Sequence, residues 1–567
     1  MPVKPNYHRS PMSALRACPL GPGQARISVK FITDMYQAAS AYQSEYAMWE
    51  GLFRVACILF DHPDEQPVYS LILDELSKQN SDGDFTGDVI QNLQIARAVL
   101  AVYEYANSRD ALKALLLFCS WIMSHWNEIS SCASIRRNPA DLMEFLIKIY
   151  WYTGKKPILS LCDKLRRESV NWTGILQTYS IKRPTSLMAS WLEMRAGIDR
   201  EGDADDGQYV RQYLMTHAET LADGMRATSM NAIFSGSGDE LKAAQNGWSK
   251  ISHWHGAICG GTTADEAVQG NDPSIAIDAA SLCAWTEAFL VQFMHEDSRW
   301  AVQEVSTLLC NALPASIIGG KLSPYQRVNM VEKTPLIREC YHTHAPEEQR
   351  KRCLIRLCRV AARAVSNAVM TTPNGLDVLL YISGEYDLQL NEKAFRVSIS
   401  HPSDSSIQIM LQGKEEAEAT LRLFIPEWMQ DMQLAVNGKA QKVSAKNGAV
   451  ELHGNWHHGD TITLVWVPTV RVVETFHQGR AVFLGDMLMV LDVSDHDWKV
   501  AMVGEPRIED GQVHVSVGEV KNWEQANGVT RPLPVRPKIS GEPTDAVLSP
   551  YYATPVRLCV FPKGIIA

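Results

Sequence analysis

The sequence predicts a closed helical toroid followed by a β-sandwich, and three observations carry that expectation. From Phe31 to about Val369, apolar residues recur at three- and four-residue spacing, in runs such as IQNLQIARAVLAVYEYA, ALKALLLFCSWIMSHW and PADLMEFLIKIYWYTG. Near Thr371 the period changes to two, and short alternating runs such as FRVSIS, SIQIML, ATLRLFIP and TITLVWV follow. The chain also has 567 residues, more than a single hydrophobic core accommodates, so a division into domains is expected.

Residues 1–30, punctuated by Pro and Gly, form an irregular arm. Residues 31–370 form the helical domain, which also includes SLMASWLEMRAGI and YVRQYLMTHAETLADGM. Within it Tyr152-Thr153-Gly154 ends one helix and Pro157 opens the next. The segments pair as helical hairpins without a tight repeat of about 34 residues, which favours a closed toroid over a solenoid. Residues 371–520 form the sandwich, with turns at Asn437-Gly438, Lys446-Asn447-Gly448 and His458-Gly459-Asp460. Residues 521–567, including VTRPLPVRPKISGEPTD, form a Pro-rich segment that packs back over the body.

Hydrophobic residues make up 46% of the chain and charged residues 21%, the balance of a soluble globular protein. Net charge is −10 with no basic block, which argues against nucleic acid as a partner. The N-terminus lacks the apolar core of a signal peptide, and no apolar run reaches the roughly 18–20 residues that span a bilayer. The 12 cysteines are scattered, so they read as reduced thiols, mostly buried, in a cytoplasmic protein with a small-molecule substrate. Oligomeric state is not legible.

Chemistry concentrates between His253 and Pro314, with an answering segment at Arg352-Cys353. A Gly-rich loop carries Asp265 and Glu266, passes the turn Asn271-Asp272-Pro273 and enters an apolar helix bearing Cys283. Glu266 is a candidate for proton transfer or substrate orientation, against the plainer role of an acid capping a loop. His253 and His255, with Asp265, are candidates for hydrogen bonding a substrate; a structural role is open for both histidines. Arg352 offers a fixed fork of donors for a carboxylate or a carbonyl, unless it is simply an exposed member of the run Arg350-Lys351-Arg352. Trp285 and Glu287 read as packing and salt-bridge residues.

An ordered set of motifs resembles glycoside hydrolase family 127, the β-L-arabinofuranosidase family. It runs through His255-Gly256, Ala264-Asp265-Glu266, Gly270, Pro273, Leu282-Cys283 and Glu287. It continues with Trp300-Ala301, Asn311-Ala312-Leu313-Pro314-Ala315, Tyr325-Gln326-Arg327-Val328-Asn329, Cys353 and Thr371-Thr372-Pro373. In the sandwich it adds Leu423 to Trp428, Val436-Asn437-Gly438 and Trp456 to Asp460. The resemblance implies an (α/α)6-type helical barrel with a β-sandwich. It also implies a zinc ion held by one glutamate and three cysteines, one of them the nucleophile, with a separate glutamate as acid/base.

This chain departs from that pattern. Ser281 stands where the ligand glutamate is expected, and the adjacent cysteine pair has become Arg352-Cys353. Cys283 and Cys353 are then vestigial, no metal or other cofactor is expected, and an arginine beside two remaining ligands repels a dication. Asp278, Cys340, His342, His344 and Cys358 are the substitutes available to restore a ligand set. The leading expectation is a repurposed, non-hydrolytic enzyme in which Glu266 and Arg352 promote a cofactor-free cyclisation or Diels–Alder-type cycloaddition of an apolar intermediate in secondary metabolism. The alternatives are a metal-free glycoside hydrolase using Glu266 with Asp265 or Asp278, and a non-catalytic carbohydrate-binding protein.

Overall fold

A computed structural model describes residues 5–7, 15–185, 213–331 and 346–565, apart from breaks at 265, 296–298, 319–320, 430, 443–444, 495–497, 522, 524, 527–528 and 531–532. The segment SLMASWLEMRAGI and the trio Cys340, His342 and His344 lie outside these residues.

The longer helices are α1 (Lys30–Ser40), α2 (Tyr46–Leu59), α3 (Pro67–Ser77), α4 (Val89–Ala106), α5 (Arg109–Ser124) and α6 (Ala140–Thr153). They continue as α7 (Lys156–Glu168), α8 (Ala218–Ser235), α9 (Gly238–His255), α10 (Ala279–Gln292), α11 (Arg299–Cys310) and α12 (Pro346–Ala368). Their ends follow local chemistry. The Asp88 side chain accepts the Gln91 N–H to start α4, and Gly154 in the left-handed region (φ 68°) closes α6.

An inner ring forms because α2 packs on α4 and α12, α10 on α12 and α8, and α8 on α6. Side chains close it between α4 and α6: Arg97 pairs with Asp141, and the Tyr152 hydroxyl donates to Glu104 at 3.0 Å. The remaining helices pack outside this ring, α1 on α2 and α12, α5 on α4, α7 on α6, α9 on α8 and α11 on α10. Every residue of α10 is buried, as an inner helix requires. A Cβ on Gly51 would meet Cys358 Cβ at 2.9 Å, so α2 approaches α12 closely only because residue 51 has no side chain. Among the described residues no helix is long and apolar enough to cross a membrane.

From Val369 the backbone is β. The strands are β1 (Ala25–Arg26), β2 (Val369–Thr372), β3 (Gly375–Val378), β4 (Gly384–Leu390), β5 (Lys393–Ser403), β6 (Ser406–Gly413) and β7 (Ala417–Phe424). Next come β8 (Gln433–Val436), β9 (Lys439–Gln441), β10 (Ala449–Trp456) and β11 (Thr461–Val465). They form two sheets, β1-β4-β5-β6-β11-β8-β9 and β10-β7-β3-β2. Alternate residues such as Phe395, Val397 and Ile399 on β5, and Leu421 and Leu423 on β7, enter one continuous core. Asn437-Gly438 has positive φ at both residues (52° and 73°), the geometry of a tight hairpin turn.

Two expectations need correction. The arm is not wholly irregular, because β1 pairs antiparallel with β4. The sheet beyond residue 470 is separate from the sandwich, and the C-terminal segment is part of it rather than a wrapping. Its main path is β12 (Val470–Thr475), β13 (Gly479–Leu484), β14 (Met487–Asp492), β15 (Val500–Glu509), β16 (Gln512–Glu519) and β17 (Ser540–Pro550), in the order β12-β13-β14-β17-β16-β15, with the short strands Arg557–Leu558 and Val560–Phe561 added on β14 and β13. Proline in VTRPLPVRPKISGEPTD masks β17 in the sequence, yet the strand accommodates Pro543 and Pro550.

The family-like motifs mostly hold these parts together. The Asn311 side chain donates to Asp486 O and accepts from Leu488 N–H, fixing α11 to the last sheet. Asn329 Oδ1 accepts from Cys559 and Val560 N–H, while Gln326 Oε1 accepts the Tyr551 hydroxyl at 2.9 Å.

Candidate active site

The site grows from the loop joining α9 to α10. Ala264 N–H donates to Ala276 O at 2.9 Å and Asp278 N–H to Ala264 O at 3.0 Å, so the loop lies along the strand Ala276–Asp278. The following turn is sewn to the start of α8: Ala218 N–H donates to Glu266 O at 2.8 Å, and Val268 N–H to Thr216 O at 2.9 Å. Between these seams Glu266 adopts φ 93° and is 2% exposed. A non-glycine residue in that region is strained and persists because its surroundings enforce it, an arrangement concentrated at functional sites.

The same strand delivers Asp278, fully buried, to the N-terminus of α10. Its Oδ1 accepts Ala280 N–H at 3.2 Å and Gln349 Nε2–H at 3.0 Å. Its Oδ2 accepts Ser281 N–H at 3.2 Å and the Ser281 hydroxyl at 2.9 Å. Burial raises the Asp278 carboxyl to about 6 against the pull of these hydrogen bonds, and the neighbouring charge of Glu266 adds to the rise.

Arg352 is on α12 and is half-buried rather than an exposed helix arginine. Its guanidinium pairs with Glu219, donates to Gln349 Oε1 at 3.1 Å and stands 3.8 Å from Asp278 Oδ2. Burial lowers its pKa to about 10, which leaves it cationic at neutral pH. Glu266, Asp278, Glu219 and Arg352 therefore form one charged cluster at the N-terminal ends of α8, α10 and α12.

The histidines do not join it as substrate ligands. His253 is on the exposed face of the last turn of α9, not on the Gly-rich loop. His255 is fully buried: Nδ1 accepts Gly270 N–H at 2.9 Å, and Nε2 is 3.1 Å from Ile181 O. Both ring nitrogens are thus engaged by backbone, and burial lowers its pKa, so it is a neutral brace for the loop. Asp265 lies outside the described residues.

The residues do not fit the zinc site that the fold suggests. Cys283 and Cys353 are both fully buried, and burial, with each other's proximity acting on Cys283, pushes their thiols well above the ordinary range. Ser281 offers no anionic ligand, Asp278 caps α10, and the Arg352 cation stands beside them. Cys358 faces Gly51 of α2. Among the described residues no three Cys, His, Asp or Glu side chains are grouped to hold a metal ion.

Below the cluster, ion pairs run along the barrel axis. Arg352, Arg356, Arg359 and Arg363 recur at spacings of four and three, one stripe of α12 turned to the lumen. Arg356 holds Asp223 at 2.7 Å and Glu287 at 3.0 Å, Arg359 holds Asp141 at 2.7 Å, and Arg363 holds Glu144 at 2.6 Å. Burial opposes ionisation of Glu287, but Arg359, Arg226, Arg363 and Arg356 together outweigh it and bring its pKa to about 2. Sequence reasoning missed Glu219, Gln349 and this ladder. The signal was present in charges repeated at helical spacing inside otherwise apolar helices.

Residues 375–467 match the family model of the β-L-arabinofuranosidase GH127 middle domain. No curated protein sequence matches the chain. A solved glycoside hydrolase is similar over 99% of both chains, with TM-score 0.74 and 15% identity. A GH127 β-L-arabinofuranosidase from Geobacillus stearothermophilus T6 aligns with 95% of this chain and 92% of its own, with TM-score 0.63 and 16% identity. Another GH127 β-arabinofuranosidase covers 97% and 98%, with TM-score 0.66 and 14% identity. At such identities the likeness is one of fold: the chain shares the architecture of these GH127 structures over nearly its whole length.

Proposed function

We propose that this chain hydrolyses a glycoside, an arabinofuranoside or a related sugar, with carboxylates in place of a metal-bound thiolate. One observation carries the reading: a strained, buried Glu266 beside Asp278, whose carboxyl titrates near 6, with the Arg352 cation at hand. Two neighbouring carboxylates, one of them raised toward neutrality, suit general acid–base work. In this reading Asp278 gives its proton to the leaving oxygen as the anomeric C–O bond breaks. Glu266 takes a proton from the water that forms the new bond. Arg352, positioned by Glu219 and Gln349, binds a sugar oxygen. In this reading Cys283 and Cys353 are packed thiols that burial holds above the ordinary range.

Cyclisation of an apolar intermediate draws on Arg352 as a donor to a carbonyl, with Glu266 beside it. It asks for apolar walls, whereas the groups that pair with Arg352 or stand close to it include Glu219, Gln349, Asp278 and Arg356, beside Cys353 and Tyr213. The glycoside reading is the better supported. Its test is turnover of aryl α- and β-pentofuranosides by the wild type and by Glu266→Gln. We expect turnover with at least one of these substrates and a loss of roughly 10²–10⁴-fold in kcat for the variant. Absence of turnover on the whole panel, or an unchanged Glu266→Gln rate, would overturn it.

A further inference from the structure

A cavity of about 850 Å³ lies at the opposite end of the barrel from the carboxylate cluster. Arg363 lines it, eleven residues along α12 from Arg352, or roughly 16 Å at the rise of an α-helix. The N-terminal arm, the inner helices and the sandwich all contribute, and its rim carries the exposed Lys414, Glu415 and His458. Its volume is in the range of small-molecule sites, about 300–1,000 Å³.

The walls and floor differ. Apolar side chains including Met230, Leu290, Met294 and Phe395 form much of the wall. On the floor, Glu50, Glu104 and Glu144 are matched by Arg54, Lys148 and Arg363, three charges against three, so no net charge remains to attract an ion. One donor is left over, and a second, though ion-paired, keeps an N–H to spare. The Trp151 indole N–H is buried and unpartnered among the described residues, a state that costs free energy until an acceptor arrives. Lys148, one turn earlier on the same face of α6, pairs with Glu104 and Glu144 at 3.5 Å each, and its ammonium carries three N–H donors. Tyr7 meets the Trp151 ring edge-on with centroids 4.9 Å apart, which fixes the arm against this wall.

We infer that this cavity binds a neutral, mainly apolar small molecule through an acceptor oxygen, a carbonyl or hydroxyl, placed against Trp151 and Lys148. This site is independent of the carboxylate cluster and of the glycoside reading. Nile red, neutral and bearing a carbonyl, is the probe. Titrated into the full chain, it is expected to bind saturably at one per chain with blue-shifted emission. Trp151→Phe keeps the ring but removes the donor and should weaken binding by roughly threefold to tenfold. Ala362→Phe, which fills the cavity, should abolish it, while Glu266→Gln should leave it unchanged. Trp151→Phe alone decides the matter if Ala362→Phe does not fold. No saturable binding, binding indifferent to Trp151→Phe, or displacement of the dye by a disaccharide at equal concentration would each overturn the inference.

Discussion

Asp278→Asn isolates the electrostatics of the cluster. Asparagine keeps the size of the side chain and is a good helix cap, so α10 retains its start. What it removes is the charge. The Asp278 carboxyl is raised from its ordinary 3.8 to about 6 in the folded chain, a displacement of roughly two pH units at about 1.4 kcal/mol each, or ~3 kcal/mol. Because the folded pKa is the higher one, the protonated carboxyl contributes stability below about pH 4. That contribution is lost as pH rises through 6. The variant has no such loss. Urea unfolding of both proteins between pH 3.5 and 7.5 should therefore show the difference in stability moving toward the variant by ~3 kcal/mol across this window. The lost second acceptor oxygen for Ser281 and Gln349 adds an offset that does not change with pH. A difference that stays flat from pH 3.5 to 7.5 would refute the reasoning.

Glu287→Gln should destabilise the barrel by about 3–5 kcal/mol, because it leaves the buried guanidinium stripe of α12 without its shared anion; the urea midpoint at neutral pH reads this out. In the wild type that stabilisation is present above pH 4.5 and is lost as pH falls toward about 2, so acid unfolding of the barrel should begin at higher pH in the variant. The double variant Ser281→Glu with Arg352→Cys should retain about one zinc per chain through dialysis against a weak chelator where the wild type retains none, as elemental analysis would show. His255→Ala should lower thermal stability and leave Nile red binding in the distant cavity unchanged, since the imidazole ties Gly270 of the Gly-rich loop to the backbone of Ile181.

Much of the fold was legible because it rests on periodicity. The apolar spacing of PADLMEFLIKIYWYTG and its stop at Gly154 became α6, and Asn437-Gly438 became a hairpin turn. The last sheet was not, because β17 draws its pairing from long-range partners while its prolines argue locally against a strand. In the site, Glu266, Arg352 and the two thiols converge on Asp278, which sequence alone offered as a substitute for a lost ligand or as a second acid beside Glu266. The roles of His253 and His255 depended on the final turn of α9, which points one out and buries the other. Spacing along a loop carries no such information. The partners of Arg352 were hidden for the same reason: Glu219 and Asp278 are distant in sequence and meet only when the inner ring closes.

The most direct test of the central claim is hydrolysis of an aryl β-L-arabinofuranoside by purified protein, with and without a strong zinc chelator, alongside its metal content. The account predicts turnover that the chelator does not change and substoichiometric zinc. About one zinc per chain, with turnover abolished by the chelator, would contradict it and assign the chemistry to a metal-bound thiolate.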